Sequence, residues 1–167
     1  MRLTPETVAD EYRWVRERAA VVVPLVNEVR ADLADRFDAD VGEVTAGTYR
    51  REVDAVFADG DLAVNVAALV AILRALDVEG DYPGFVVDEF LGRRLAGTIA
   101  GAQPLGLLGE ATFHVADVLV HRDPDAEAAG LDDLDAALAA GFQTRLPGWN
   151  WTAAESPFAV ADRPDGE

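Results

Sequence analysis

The stretch from Pro5 to Phe37, PETVADEYRWVRERAAVVVPLVNEVRADLADRF, decides the fold class. Its apolar residues Val8, Tyr12, Val15, Ala19, Val22, Val26, Val29 and Leu33 recur at alternating steps of four and three, the seam that one face of a long α-helix presents. Thr4 and Pro5 open the run. The threonine offers an oxygen to the first unpaired amides, and the proline stands where no amide is needed. Pro24 lies within the seam. It lacks an amide and crowds the carbonyl of Ala20, which predicts a kink or a break there with the register kept.

Outward from this run, the same spacing predicts further helices over about 46–58, 62–76, 85–100, 104 or 109 to 121, and 131–140, separated by Gly- and Pro-bearing turns. Tyr49, Val53, Val56 and Phe57 form the inward face of the first of these, closed by Gly60. The helix over 62–76, capped by Asp61, is apolar almost all round apart from Asn65 and Arg74, and such a helix belongs in the middle of a bundle. Gly97 and Gly101 are spaced for close helix contact. The expected fold is an all-α helical bundle of five to seven helices, one domain over residues 1–145. Residues 146–167 read as an extended arm, because Pro147, Pro157 and Pro164 prevent a long helix while Trp149, Trp151 and Phe158 latch it onto the bundle.

A chain of 167 residues has enough core for one domain without disulfide or metal staples. All 14 basic residues are arginine, against 31 acids of which 19 are aspartate, and the net charge is -17. Arginine without lysine, aspartate over glutamate and abundant Ala, Val and Gly resemble the proteins of salt-filled haloarchaeal cytoplasms. Molar salt shrinks the Debye length to roughly 3 Å, so a self-repelling acidic surface becomes tolerable. The same charge makes nucleic acid an unlikely partner: Arg13, Arg16 and Arg18, Arg50/Arg51 and Arg93/Arg94 all sit among acids, and no basic stripe forms. The arginine pairs are read as salt-bridge partners. No apolar leader precedes Thr7, and the uncharged run from Leu95 to Phe113 is broken by Gly97, Gly101, Gln103, Pro104, Gly106 and Gly109, so a cytoplasmic protein with no membrane span is expected.

Chemistry is narrowly bounded. Cysteine is absent and Ser156 is the single serine, which leaves no thiolate and no Gly-x-Ser-x-Gly nucleophile. The glycine-rich turn from Gly97 to Gly109 matches no phosphate-binding pattern and is assigned to a tight interhelical connection. Trp149-Asn150-Trp151 fits a groove of its own fold better than a ligand platform. One constellation stands out. Glu110, His114, Asp117 and His121 fall within about 60° of one another on a helix, and they include both histidines of the chain. Imidazole and carboxylate at this spacing are what a helix contributes to a divalent metal site in a bundle. The stripe is about 16 Å long, so one ion takes a neighbouring pair and needs donors from a second helix. Glu28, Asp32 and Asp35 share a face and qualify, with Asp88 and Glu89 behind them. The competing reading makes the stripe a solvent-facing ribbon, or a polar network with Asn65. Two functions follow: a small interaction or regulatory protein, expected to be a homodimer along the Val8–Leu33 seam and able to take a protein partner, or a metal-binding bundle or metal-dependent enzyme using the stripe.

Overall fold

The computed structural model describes residues 1–76, 87–101, 104–120 and 129–148. Seven helices and no strand occur among them: α1 Pro5–Glu17, α2 Ala19–Phe37, α3 Ala46–Ala58, α4 Gly60–Ala75, α5 Val87–Ala100, α6 Leu105–Val120 and α7 Ala129–Arg145. The chain is an all-α bundle with one continuous apolar cluster drawn from every helix.

The N-terminal cap forms as expected. Thr7 N donates to Thr4 Oγ1 at 3.2 Å and Thr4 N donates back to Thr7 Oγ1 at 2.8 Å, with Pro5 in the first turn. The break in the long run falls at Arg18 rather than at Pro24, which lies exposed inside α2. At an exposed position the proline costs one hydrogen bond without disturbing the buried face, whereas the turn at Arg18 aims its guanidinium at α7. Arg18 Nε and Nη2 meet the Asp135 carboxylate at 2.9 and 2.8 Å. The register survives the break, with Val15, Ala19, Val22, Val26, Val29 and Leu33 all buried. They are covered by the chain's own helices, so the dimer expected along the Val8–Leu33 seam finds most of that seam already occupied.

α3 starts and stops where the periodicity places it. α4 begins earlier than expected: Asp59, not Asp61, accepts from Leu62 N at 3.2 Å, and Gly60 opens the helix instead of closing α3. The shared cap at Asp59 lets the two helices diverge by 111°. Among the described residues no single helix is long and apolar enough to cross a membrane.

The centre of the bundle is α7, not α4. α7 packs against α2, α3, α4, α5 and α6, and every residue from Asp132 to Thr144 is buried. Its Ala-rich second half lets neighbours approach closely. A Cβ on Gly141 would lie 2.7 Å from Ile99 Cβ and 3.0 Å from Ala96 O, so only glycine fits. Gly97 likewise meets α6, where a Cβ would lie 2.8 Å from Glu110 Cγ. Gly101 instead ends α5 with φ of 112°.

The fully buried Arg30 of α2 caps the other end of α7. Its guanidinium donates to Gly42 O at 3.2 Å and Gln143 O at 3.3 Å, and also to Pro147 O. A cation at a helix C-terminus is favoured by the helix dipole, while burial lowers the pKa of this guanidinium. Leu146 is buried and Pro147 exposed where the expected arm begins. Trp149, Trp151, Phe158, Pro157 and Pro164 lie outside the described residues.

Candidate functional site

Two places carry convergent polar chemistry. The first is a groove of about 650 Å³ where the start of α1 crosses the junction of α3 and α4. Its walls are Leu3, Val8, Phe57, Ala63 and Val64, and its polar members are Thr4, Tyr12 and Asp54. Local sequence explains the position. Val8 and Tyr12 are the first two residues of the seam and stay only partly buried, and α3 and α4, which also line the groove, diverge by 111° at Asp59. The Tyr12 and Phe57 rings meet at 5.3 Å. Tyr12 Oη donates to Asp54 Oδ1 at 2.5 Å, and Arg16 Nε donates to the same oxygen at 2.9 Å. These two donors hold the Asp54 carboxyl below its usual range. The carboxylate in turn raises the Tyr12 hydroxyl. Tyr12 therefore remains a neutral donor and Asp54 an anion at the polar end of an apolar slot, the pattern of a binding site.

The second place is a carboxylate cluster at the junction of α5, α6 and α7. Asp133, 4% exposed, hydrogen-bonds Asp88 and Asp117. Burial first, and then these two neighbours, push Asp133 up to about 9. Three carboxyls sharing one low-dielectric spot cannot all ionise, so at neutral pH Asp133 keeps its proton and donates it to its neighbours. The physical result is a staple between helices made from acids alone.

The sequence stripe divides on this framework. Glu110 faces Arg94 at 3.5 Å, His114 is exposed, Asp117 joins the carboxylate cluster, and His121 lies outside the described residues. The expected second-helix donors point elsewhere. Glu28 and Asp35 are exposed, and Asp32 takes Arg36 Nε at 2.7 Å. Among the described residues no three His, Asp or Glu side chains form a group fit to hold a metal ion. Asn65 is exposed on α4, away from any buried network. Arg93 and Arg94 do serve as ion-pair partners, to Glu89 at 3.1 Å and to Glu110.

Sequence reasoning missed Asp54 and Asp133. Asp54 has a usable signal, since it follows Tyr49 and Val53 on a helix whose inner face meets Tyr12 of the seam. Asp133 has none, because nothing in LDDLD distinguishes a buried aspartate from a solvated one.

These features describe a class: among its described residues, a seven-helix bundle with an acid-bearing central helix and an open apolar groove. The chain belongs to the family described as Domain of unknown function (DUF7984), whose profile spans residues 1–162. That span runs past α7 through Trp149, Trp151 and Phe158. No curated protein and no solved structure matches the chain.

Proposed function

We propose that this chain is a small cytoplasmic interaction module, adapted to high salt, that holds an apolar segment of a protein partner in the groove between α1, α3 and α4. The observation that carries the reading is the pairing of a sizeable apolar slot with a fixed anion at one end. Asp54 is the acid among the lining residues, so the fitting segment has apolar side chains followed by an arginine or lysine. A cation there joins Arg16 at a half-exposed Asp54 carboxylate, so in molar salt the apolar slot supplies most of the binding and the charge mainly orients the segment.

Nile red, a neutral apolar fluorophore, is expected to bind the protein in molar potassium chloride with a blue-shifted emission. Ala9→Trp, placed at an exposed position on the groove wall, should fill the slot and remove that signal while leaving the helical circular dichroism intact. No binding by the wild type, or equal binding by the variant, overturns the groove reading. Salt adaptation has its own measurement. The cooperative helical signal should weaken as potassium chloride is dialysed away, because a net charge of -17 then repels itself unscreened. A fold equally stable in dilute buffer removes that part of the reading.

A further inference from the structure

We propose that residues 156–163 of this chain, beyond α7, fold back into the groove between α1, α3 and α4 and compete there with the partner; the inference rests on the groove reading above. The point at which the chain leaves the bundle is pinned. Arg30 donates to Pro147 O, and Gly148, with φ of 111°, lies so close that a Cβ on it would stand 2.5 Å from Arg30 Nη2 and 3.7 Å from Gly42 N. Gly42 leads directly into α3, which begins at Ala46 and carries Asp54 and Phe57 to the groove. The path from Gly42 to Ala46 is at most about 14 Å, and the path along α3 to Phe57 adds about 17 Å. Fully extended, the chain from Gly148 to Phe158 spans up to about 35 Å, so Phe158 reaches the slot.

Composition selects this segment among those outside the described residues. The slot asks for apolar side chains followed by a cation, because Asp54 is the acid that lines it. Residues 77–86 offer Val78, Tyr82 and Phe85 but no arginine, and residues 121–128 offer Arg122 but no large apolar side chain. Beyond α7 both occur together. Ser156 to Ala161, SPFAVA, is uncharged, and Arg163, the single basic residue after Arg145, follows it. The family profile runs to residue 162, so Phe158 and Val160 belong to the same family domain as the bundle, which favours the chain's own segment as occupant. Tethering favours it again. A short connection holds the segment near the groove at an effective concentration on the order of millimolar, so a contact too weak between separate molecules is populated within one. A ligand then binds with an affinity reduced by the fraction of molecules whose groove is filled.

Because the chain has no cysteine, contact can be read from introduced pairs in the full chain. Ala9→Cys with Ala159→Cys joins the groove wall to the segment, and Ala111→Cys with Ala159→Cys tests the exposed side of α6 instead. In molar potassium chloride and a glutathione buffer, the first pair should close an intrachain disulfide at least tenfold faster than the second, at a rate unchanged by dilution. Equal rates overturn the inference. Disulfides between chains, formed faster at higher concentration, also overturn it, since the segment of a second copy then fills the groove. Phe158→Ser combined with Val160→Ser should empty the slot and lower the dissociation constant of Nile red at least threefold, with the helical circular dichroism intact. Affinity that is unchanged or weaker overturns the inference while leaving the groove reading standing, because that reading is decided by binding to the wild type and its loss in Ala9→Trp.

Discussion

α4 and α7 reverse what their compositions suggest. Residues 62–73 of α4 contain no charge at all, yet Val64 and Ile72 remain 43% and 37% exposed. α7 carries Asp132, Asp133 and Asp135 in its first half and is buried along thirteen consecutive residues, from Asp132 to Thr144. The difference teaches that centrality depends on how closely a helix can be approached from all sides. The Ala136, Ala137, Ala139, Ala140 and Gly141 run in α7 is thin, so five helices can surround it. Each of two aspartates then meets burial differently, Asp135 through the two-pronged pair with Arg18 and Asp133 by keeping its proton. Further along α7, Thr144 Oγ1 donates to Gly141 O at 2.7 Å and Gln143 Nε2 donates to Thr112 Oγ1 at 3.4 Å.

The largest break in this comparison comes from Arg18→Ala. Removing one member of a buried ion pair leaves the other charged and desolvated, which costs about 3–5 kcal/mol. Denaturant unfolding in molar potassium chloride should show that loss, and a change within surface limits would mean that Asp135 is held by other groups.

The next effect is one of pH. Asp133 has a folded pKa of about 9 against an ordinary aspartate value near 4. The folded state therefore keeps a proton that the unfolded chain releases, and this contribution to stability is complete below about pH 4 and lost as pH rises through about 9. Asp133→Asn keeps a neutral donor of the same shape. Its stability should fall less than that of the wild type between pH 5 and pH 9, as read from melting temperatures across the range. Parallel pH profiles for the two proteins would show that Asp133 is ionised in the fold.

The smallest effects belong to exposed positions. Ile72→Ala on α4 and His114→Ala on α6 should each change stability by about 0.5 kcal/mol or less, as surface changes do. The His114 result also bears on the metal reading of the stripe. Metal found by elemental analysis of the wild type, together with a loss well beyond surface limits for His114→Ala, would support a ligand role for this exposed side chain.

Much of the local structure was legible from single residues. Thr4-Pro5 marked the start of α1, and Tyr49, Val53 and Val56 marked the inner face of α3. Caps and periodicity act within a turn or two, so the chain displays them directly. The candidate sites were only partly legible. Tyr12 appeared as a seam residue and Asp117 as part of a stripe. Their partners Asp54 and Asp133 lie far along the chain, and no local spacing connects them.

The sequence by itself determined that the chain is helical, where most helices begin and end, that it has no cysteine and a single serine, and that its net charge is strongly negative. Only the tertiary structure decided that α7 is the centre, that the long run turns at Arg18 with Pro24 tolerated, and that Asp133 keeps its proton. The physical reason is the range of the forces. Hydrogen bonds and periodicity are settled among neighbours in sequence, whereas burial and desolvation depend on every helix that closes around a residue.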